Sequence, residues 1–342
     1  MKLAMQINYA GNILDTVEEV VRYESAGLDI VFVAEAYGFD AVSILGYLAA
    51  RTTRVELGPG ILPIYSRTPA LIAQTAAGLD YVSGGRAVLG LGASGPQVIE
   101  GWHGVAYDRP IARTRELIGL CRKVWRRERL ESDGIYQIPL RGGTGLGKAL
   151  KLITEPVRPR VPIYLAAIGP ANVALASELA EGWLPIFYLP EQAESVWGES
   201  VRKGLSLRDS DLGDFEIVAG GLLAIENNSQ DLLDLARPYV ALYVGGMGAK
   251  TKNFYNDLFR RYGYGDLAEQ IQDLYLGGER ERAAQLVPNE LLERMNLVGS
   301  AGFVQERVEA FAHAGVTTLM VTPIGKDPIG SFRQLRSMVD RL

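Results

Sequence analysis

The 342-residue sequence contains one cysteine, Cys121, and two histidines, His103 and His313. A single cysteine excludes a disulfide within the chain and favours a reducing compartment. Zinc sites need clustered cysteine and histidine ligands, which two isolated histidines do not supply. We therefore predict no metal site. The sequence also lacks the G-x-S-x-G context of a hydrolase nucleophile.

Long apolar runs and basic clusters are missing as well. No apolar run approaches the roughly 20 residues of a membrane span. The formal net charge is -5, with acidic and basic residues well mixed, whereas a nucleic-acid surface needs a clustered basic face. Residues 1–6 indicate a strand and not a signal peptide. We expect a cytoplasmic protein that acts on a small molecule, with neither nucleic acid nor membrane as a partner.

Short apolar strands alternate with helices along most of the chain, which is typical of a parallel sheet covered by helices. The predicted strands are residues 3–7, 28–33, the stretch that begins at 54, and residues 87–92, 161–167, 182–187, 215–225 and 317–322. Eight such units predict an α/β fold of the (β/α)8 TIM-barrel type, with a doubly wound sheet as the alternative. We assign residues 1–342 to one domain. Residues from about 247 to 295 lack a strand pattern and are predicted to be a helical insertion.

The third strand, which begins at Arg54, ends irregularly. Gly58-Pro59-Gly60 allows backbone angles that are closed to other residues, and Pro59 and Pro63 remove two donors from the strand ladder. Parallel barrels keep their sites at the carboxyl ends of their strands. The stretch is therefore a candidate surface for a flat ligand, although a glycine-rich strand-to-helix turn gives the same pattern.

Two glycine-rich motifs have nucleotide-binding spacing without the matching context. Gly90-Leu91-Gly92-Ala93-Ser94-Gly95 fits G-x-G-x-x-G, but it follows the fourth strand, and the next clear helix begins near Pro110. A loop that makes room for a ligand at a strand end suits it better. Residues 142–149 fit a phosphate loop except that Ala149 stands where a Ser or Thr must reach magnesium. We therefore exclude a nucleotide triphosphatase and interpret Lys148 as a solvated loop residue, with contact to an anionic ligand as the alternative.

A third loop, Ala166-Ala167-Ile168-Gly169, follows the fifth strand, and Pro170 then opens a helix. Small side chains let an anion approach free backbone N–H groups, and the helix dipole favours negative charge there. The loop is a candidate phosphate cradle. A tight strand-to-helix turn is the alternative.

A few polar side chains follow the strands closely enough to face a site. Glu35 follows the second strand, where a carboxylate can orient a ligand or move a proton; a capping or salt-bridging role is the alternative. Glu100 is interpreted as a capping or salt-bridging residue. His103 follows Trp102 in the loop after the fourth strand and can face a pocket, whereas His313 is interpreted as a helix-end residue.

A set of short motifs runs through nearly the whole chain. In order, these motifs are Gly58-Pro59-Gly60-Ile61, Pro63, Tyr65, Arg67, Pro69, Leu79-Asp80, residues 83–87 and 89–92, Pro162-Ile163-Tyr164, Gly169-Pro170, Val298-Gly299, residues 314–316 and Pro323-Ile324-Gly325. Together they resemble the bacterial luciferase-like barrel family. The closer similarity is to its coenzyme F420-dependent branch, which includes methylene-tetrahydromethanopterin reductase.

The resemblance implies coenzyme F420 as the cofactor and hydride transfer between its deazaflavin and a substrate. It also implies a non-prolyl cis peptide between Gly60 and Ile61 under the cofactor ring, a phosphate at the loop 166–169, and a homodimer or homotetramer. The implied cofactor-binding residues are Gln6, Glu35, Pro59, Gly60, Ile61, Gly92, Ala93, Ser94, Ala166, Ala167, Ile168 and Gly169. Catalytic roles are expected for Glu35, Gln97 and His103.

The chain departs from this branch at three places. Gln6 stands where a glutamate is expected, Glu35-Ala36 stands where Asp-His is expected, and an acidic position after the fourth strand falls near Pro96-Gln97. Glutamine cannot move a catalytic proton as a carboxyl group can, so no substrate is carried over. Three hypotheses stay open: an F420-dependent oxidoreductase of unknown substrate, an FMN-dependent monooxygenase of the same fold, and a non-catalytic F420-binding protein.

Overall fold

Parallel strands form the centre of the molecule. The computed structural model describes residues 1–7, 12–227 and 229–342. Its strands are β1 (Lys2–Ile7), β2 (Ile30–Val33), β3 (Glu56–Pro59), β4 (Leu62–Pro63), β5 (Leu89–Gly92), β6 (Ser132–Asp133), β7 (Gln137–Ile138), β8 (Ile163–Ala166), β9 (Gly182–Leu184), β10 (Glu216–Ala219), β11 (Leu222–Ile225), β12 (Leu297–Gly299) and β13 (Thr318–Pro323).

Helices surround these strands. They are α1 (Ile13–Ser25), α2 (Ala41–Arg51), α3 (Pro69–Ser83), α4 (Pro96–Gly101), α5 (Pro110–Trp125), α6 (Pro170–Leu179), α7 (Ala193–Leu205), α8 (Gln230–Leu233), α9 (Arg237–Ala241), α10 (Phe254–Arg261), α11 (Gly265–Leu276), α12 (Arg280–Gln285), α13 (Asn289–Met295), α14 (Ala301–His313) and α15 (Pro328–Val339). Within the described residues, no helix has both the length and the apolar character that a membrane crossing requires.

The strand order confirms the predicted barrel. The hydrogen-bonded path runs β3-β2-β1-β13-β10-β9-β8-β5-β4. Since β3 and β4 are consecutive halves of one interrupted strand, the path returns to the strand from which it started. A bridge between Leu57 and Ala87 also joins the third strand to the fourth. The sheet therefore closes on itself, and the alternative of an open doubly wound sheet is wrong.

The carboxyl-terminal third differs in detail from the sequence interpretation. The predicted seventh strand is divided into β10 and β11 at Gly220, where a Cβ atom would lie 2.4 Å from the Met320 carbonyl oxygen. The strand β12, which pairs with β11, was not predicted because three residues are too short to show a strand pattern. The range 247–295 contains α10 to α13, and its assignment as an insertion into one domain stays a prediction.

The barrel interior is polar at its amino end, filled by buried side chains in the middle and only partly buried at its carboxyl end. At the amino end, the Lys2 ammonium lies 3.2 Å from a Glu216 carboxylate oxygen, and the Tyr164 hydroxyl donates to the same carboxylate at 2.7 Å. The middle is a buried cluster of Ala4, Ile30, Phe32, Val88, Tyr164, Leu184 and Val218. Toward the carboxyl end, Ile61 and Ala166 are only partly buried. This end is the mouth of the barrel.

The motif at residues 79–87 holds the amino end of the barrel together. Arg86 donates to the Val55 carbonyl at 2.7 Å and to the Ala49 carbonyl at 3.0 Å. Asp80, which is 1% exposed, accepts from the Ala87 N–H at 3.1 Å. These side chains bind backbone groups on the face opposite the mouth, where barrel residues serve stability.

Glycines in the third and fourth strands are required by close packing. A Cβ atom at Gly90 would lie 1.9 Å from the Pro59 carbonyl oxygen, and one at Gly92 would lie 3.0 Å from the Ile61 side chain. The space beside Gly90 is therefore filled by the end of the third strand. The expectation that the loop 90–95 makes room for a ligand stays a prediction.

Gly90→Ala should destabilise the fold by more than about 3 kcal/mol, because the new methyl group meets backbone that cannot move aside freely. Gly78→Ala is the matched control: Gly78 lies exposed within α3 with nothing within 4 Å of a Cβ. That change should raise stability by up to about 1 kcal/mol through helix propensity. Urea unfolding measures both, and equal stability of the Gly90→Ala variant and the wild type would contradict the packing argument.

Cys121 offers a test of how tightly the barrel is closed. The side chain is 0% exposed, and burial raises the pKa of its thiol to about 12. At pH 8 only roughly one thiol in ten thousand is then ionised. We expect no reaction with Ellman's reagent in the native protein and one thiol per chain in denaturant. Fast reaction under native conditions would show that α5 opens readily.

Candidate active site

The third strand breaks at the mouth of the barrel. The peptide bond between Gly60 and Ile61 is cis, as predicted. Three strands hold the break: Gly60 donates its N–H to the Val33 carbonyl at 2.7 Å, Ile64 donates to the Gly92 carbonyl at 3.0 Å, and the Gln6 side-chain amide donates to the Gly60 carbonyl at 3.0 Å. The position of Ile61 is therefore fixed by the first, second and fourth strands.

Gln6 has a structural role that the sequence did not reveal. Side chains alternate along a strand, so Lys2, Ala4 and Gln6 all face the barrel interior. The amide of Gln6 can donate a hydrogen bond to the Gly60 carbonyl at any pH, whereas an ionised carboxylate is only an acceptor. The residue that departs from the expected glutamate therefore supports the break directly.

Glu35 and Arg67 form an ion pair that joins two loops at the mouth. One Glu35 oxygen accepts from the Arg67 guanidinium at 2.9 Å and from the Ala41 N–H at 2.9 Å, and the other oxygen also contacts Arg67. The side chains are 8% and 16% exposed. Both carboxylate oxygens thus serve to join the loop after β2 to the loop after β4. The predicted catalytic and cofactor-binding roles of Glu35 stay predictions.

Two buried indoles fix the direction of backbone N–H groups in the loop after β8. The Ala167 carbonyl accepts from the Trp183 indole at 2.9 Å, and the Ile168 carbonyl accepts from the Trp197 indole at 3.0 Å. In a trans peptide the N–H points opposite the carbonyl, so the N–H groups of Ile168 and Gly169 point away from these indoles. Neither N–H has a partner among the hydrogen bonds of the described residues.

The start of α6 completes a site suited to an anion. Gly169 caps this ten-residue helix without a side-chain hydrogen bond. A small cavity beside the first turn of the helix is lined by Gly92, Ala93, Thr114, Leu165, Ala166, Ala167, Asn172 and Leu175. Arg261 donates to the Ile168 carbonyl at 3.2 Å, which adds positive potential behind the loop. Free N–H groups, a helix N-terminus and small side chains together fit a phosphate group.

The fourth-strand loop forms the remaining side of the mouth. Ser94 has a φ of 57°, and its carbonyl accepts from the Tyr107 hydroxyl at 3.3 Å. Gln97 lies exposed on α4. Nε2 of His103 is enclosed and has no hydrogen-bond partner in the described part of the chain. Glu100 accepts from the Tyr107 N–H at 3.1 Å, so it binds the loop before α5 and caps no helix in this contact.

Several residues that the sequence suggested as site residues do not come together in the structure. Glu35 forms no hydrogen bond with Gln97 or His103 within residues 12–227. Lys148 lies exposed in a segment without a helix, so the phosphate-loop pattern has no structural counterpart. His313 ends α14, with Nδ1 2.8 Å from the Glu309 carbonyl. Across the described ranges, no three His, Cys, Asp or Glu side chains gather as metal ligands.

Comparison with known proteins agrees with this geometry. The family model described as luciferase-like monooxygenase matches residues 2–318. The chain belongs to this family. The match includes the third-strand break, the fourth-strand loop and the loop after β8.

Individual relatives are similar over most of their length. A Mycobacterium tuberculosis protein that is provisionally named coenzyme F420-dependent oxidoreductase is 42% identical over 99% of this chain and 98% of its own. The 5,10-methylenetetrahydromethanopterin reductase of Archaeoglobus fulgidus is 29% identical over 89% of this chain and 88% of its own.

Solved structures share the fold. The coenzyme F420-dependent tetrahydromethanopterin reductase of Methanopyrus kandleri superposes with a TM-score of 0.76 and 23% identity, over 98% of this chain and 96% of that chain. At this identity the likeness supports the luciferase-like TIM-barrel architecture.

Substituting Gln6 tests whether its hydrogen bond to the Gly60 carbonyl stabilises the break in the third strand. Gln6→Met keeps the approximate volume but removes the donor to the Gly60 carbonyl, and should cost about 1 kcal/mol of stability. Gln6→Glu should cost more at pH 8, because the carboxylate faces a carbonyl oxygen. Only the protonated carboxyl can donate, so its pKa is raised in the folded state. The stabilising contribution is then present at low pH and lost as pH rises through that folded-state pKa.

The control for this pair is Gln272→Met. Gln272 is 5% exposed, and its Nε2 has no partner among the described side chains and backbone, so its removal should not lower stability. Urea unfolding at pH 5 and pH 8 measures all three variants against the wild type. A pH-independent difference between the Gln6→Glu variant and the wild type would contradict the predicted donor role.

Proposed function

We propose that the protein is a coenzyme F420-dependent oxidoreductase that transfers a hydride between the deazaflavin and a small organic substrate. The observation that carries this proposal is the pairing of two features at one barrel mouth: the fixed break at Gly60-Ile61 and the uncapped anion cradle at residues 166–169. The relative from Mycobacterium tuberculosis, at 42% identity over 99% of the chain, supports F420 as the cofactor.

The spacing of the two features suits a ring joined to a phosphate by a short chain. Pro63 pairs with Gly92, and Gly92 pairs with Ala166. Neighbouring strands lie about 4.8 Å apart, so the floor and the cradle are separated by roughly 10 Å. Ile61 and Gly92 would provide the apolar floor, and the N–H groups of Ile168 and Gly169 would hold the phosphate.

When bound, the cofactor supplies the hydride chemistry, and the side chains around it control orientation and protons. The Gln6 amide is hydrogen-bonded to the Gly60 carbonyl, and the Glu35 carboxylate is bound by Arg67 and by the first N–H of α2. A proton transfer would therefore fall to the enclosed, unpartnered Nε2 of His103, since an imidazole can both donate and accept. Gln97, exposed on the same rim, would contact the substrate. A cytoplasmic location and a homodimer or homotetramer are part of the proposal.

Titration with F420 and with FMN tests the cofactor assignment. We expect F420 to bind and to change its absorption and fluorescence on binding. Asn172→Asp should weaken F420 binding by about tenfold or more, because it puts a carboxylate beside the phosphate cradle. The Asn172 side chain forms no hydrogen bond in the parts of the chain that the structure describes. An acidic side chain near a helix N-terminus also favours folding, so stability should not fall.

The matched control is Asn289→Asp, which makes the same change at the first residue of α13 and should leave F420 binding unaltered. Binding of FMN alone would refute the proposal in favour of an FMN-dependent monooxygenase. Tight F420 binding without reoxidation by any of a broad panel of ketones, alcohols and enones would favour a non-catalytic F420-binding protein.

A further inference from the structure

Three large apolar side chains lie exposed on one part of the mouth. Tyr37 is 62% exposed, Phe39 80% and Trp102 65%. Tyr37 and Phe39 belong to the loop between β2 and α2, and Trp102 directly follows α4. Single exposed apolar residues are ordinary on protein surfaces, but a group of them marks a binding surface. We call these three residues the aromatic rim.

The aromatic rim crosses the interrupted third strand. The rings of Tyr37 and Trp102 have centroids 6.5 Å apart and planes inclined at 56°. Their loops follow β2 and β5, which are not neighbours, because β2 pairs with β3 and β5 pairs with β4. The two rings therefore join loops that follow strands on either side of the interrupted third strand, at the mouth of the barrel.

Charged groups beside the aromatic rim are already bound within the protein. Glu35 is held by Arg67 and the start of α2. Asp40 caps the same helix, accepting from the Ser43 N–H at 2.8 Å. Glu100 accepts from the Tyr107 N–H. A ligand that reaches the rim therefore meets ring faces in preference to free charges.

We infer that the aromatic rim selects substrates that carry an apolar ring system, such as cyclic ketones and the corresponding alcohols. The inference rests on the proposed oxidoreductase function and adds the substrate class to it. Aromatic faces bury large apolar area at low conformational cost and pack against other rings. A small polar or phosphorylated substrate would leave the rim unused.

Trp102 provides a built-in probe, because it is the one exposed tryptophan of the four. Trp125, Trp183 and Trp197 are each 1% exposed, so acrylamide should quench mainly Trp102. The full-length protein is titrated with acrylamide in the presence of 2-decalone or of acetone, with and without F420. We expect 2-decalone to lower the quenching constant at least about twofold, as burial of a ring face requires, and acetone at the same concentration to leave it unchanged.

Three variants test whether the change in fluorescence quenching comes from the aromatic rim. Trp102→Phe should remove the quenchable emission while retaining a ring. Tyr37→Ala should weaken 2-decalone binding about fivefold through the lost ring contact. Tyr81→Ala is the control, since Tyr81 is similarly exposed at 69% but lies near the end of α3, at the amino end of the barrel and away from the mouth, and it should change nothing.

Two results would overturn the inference. Equal protection of Trp102 by acetone and 2-decalone, or by neither, would show that the rim does not select rings. Protection that grows with protein concentration alone would show that a second copy of the chain covers the rim. F420 binding is measured in the same samples. If 2-decalone protects Trp102 but F420 does not bind, the proposed cofactor is refuted. If F420 binds but 2-decalone does not protect Trp102, the proposed role of the aromatic rim is refuted.

Discussion

The close approach of the third strand to the fourth is the constraint on which the mouth depends. The Pro59 carbonyl occupies the space where any residue but glycine at position 90 would place its Cβ, and the Ile61 side chain packs on Gly92. With these contacts made, the Gly60 carbonyl turns toward the first strand, where Gln6 donates to it. Barrel closure and the position of the apolar floor thus follow from the same packing.

The other parts of the mouth are held by backbone contacts in the same way. The carbonyl groups of Ala167 and Ile168 are bound by buried tryptophan indoles, which leaves the opposite N–H groups free for an anion. The Glu35 carboxylate joins two loops by binding Arg67 and the start of α2. Each contact uses one polar group to orient another, so the site is shaped before any ligand arrives.

Much of this was predictable from the sequence, because short apolar strands and the irregular third strand are local patterns. Predicting the barrel and the position of the loop 166–169 required no knowledge of distant contacts, and the cis peptide at Gly60-Ile61 was implied by the family resemblance. The partner of Gln6 lies 54 residues away and that of Glu35 lies 32 residues away, and no local spacing encodes such pairs. The close packing at Gly90 could not be predicted for the same reason: its neighbour belongs to another strand.

The use of an amide at position 6 bears on the chemistry available at the mouth. A carboxyl group that supports the Gly60 carbonyl must be protonated to donate, which links the shape of the floor to pH. An amide removes this link, since it donates at any pH. Unlike a carboxyl group, however, an amide cannot transfer a proton to a ligand. Under the proposed function, and with Glu35 bound to Arg67, proton transfer would then take place outside the cofactor floor and at the mouth, where His103 follows the exposed Trp102. One member of the aromatic rim, Trp102, and the residue proposed for proton transfer, His103, would then share one loop, separate from the groups that shape the floor.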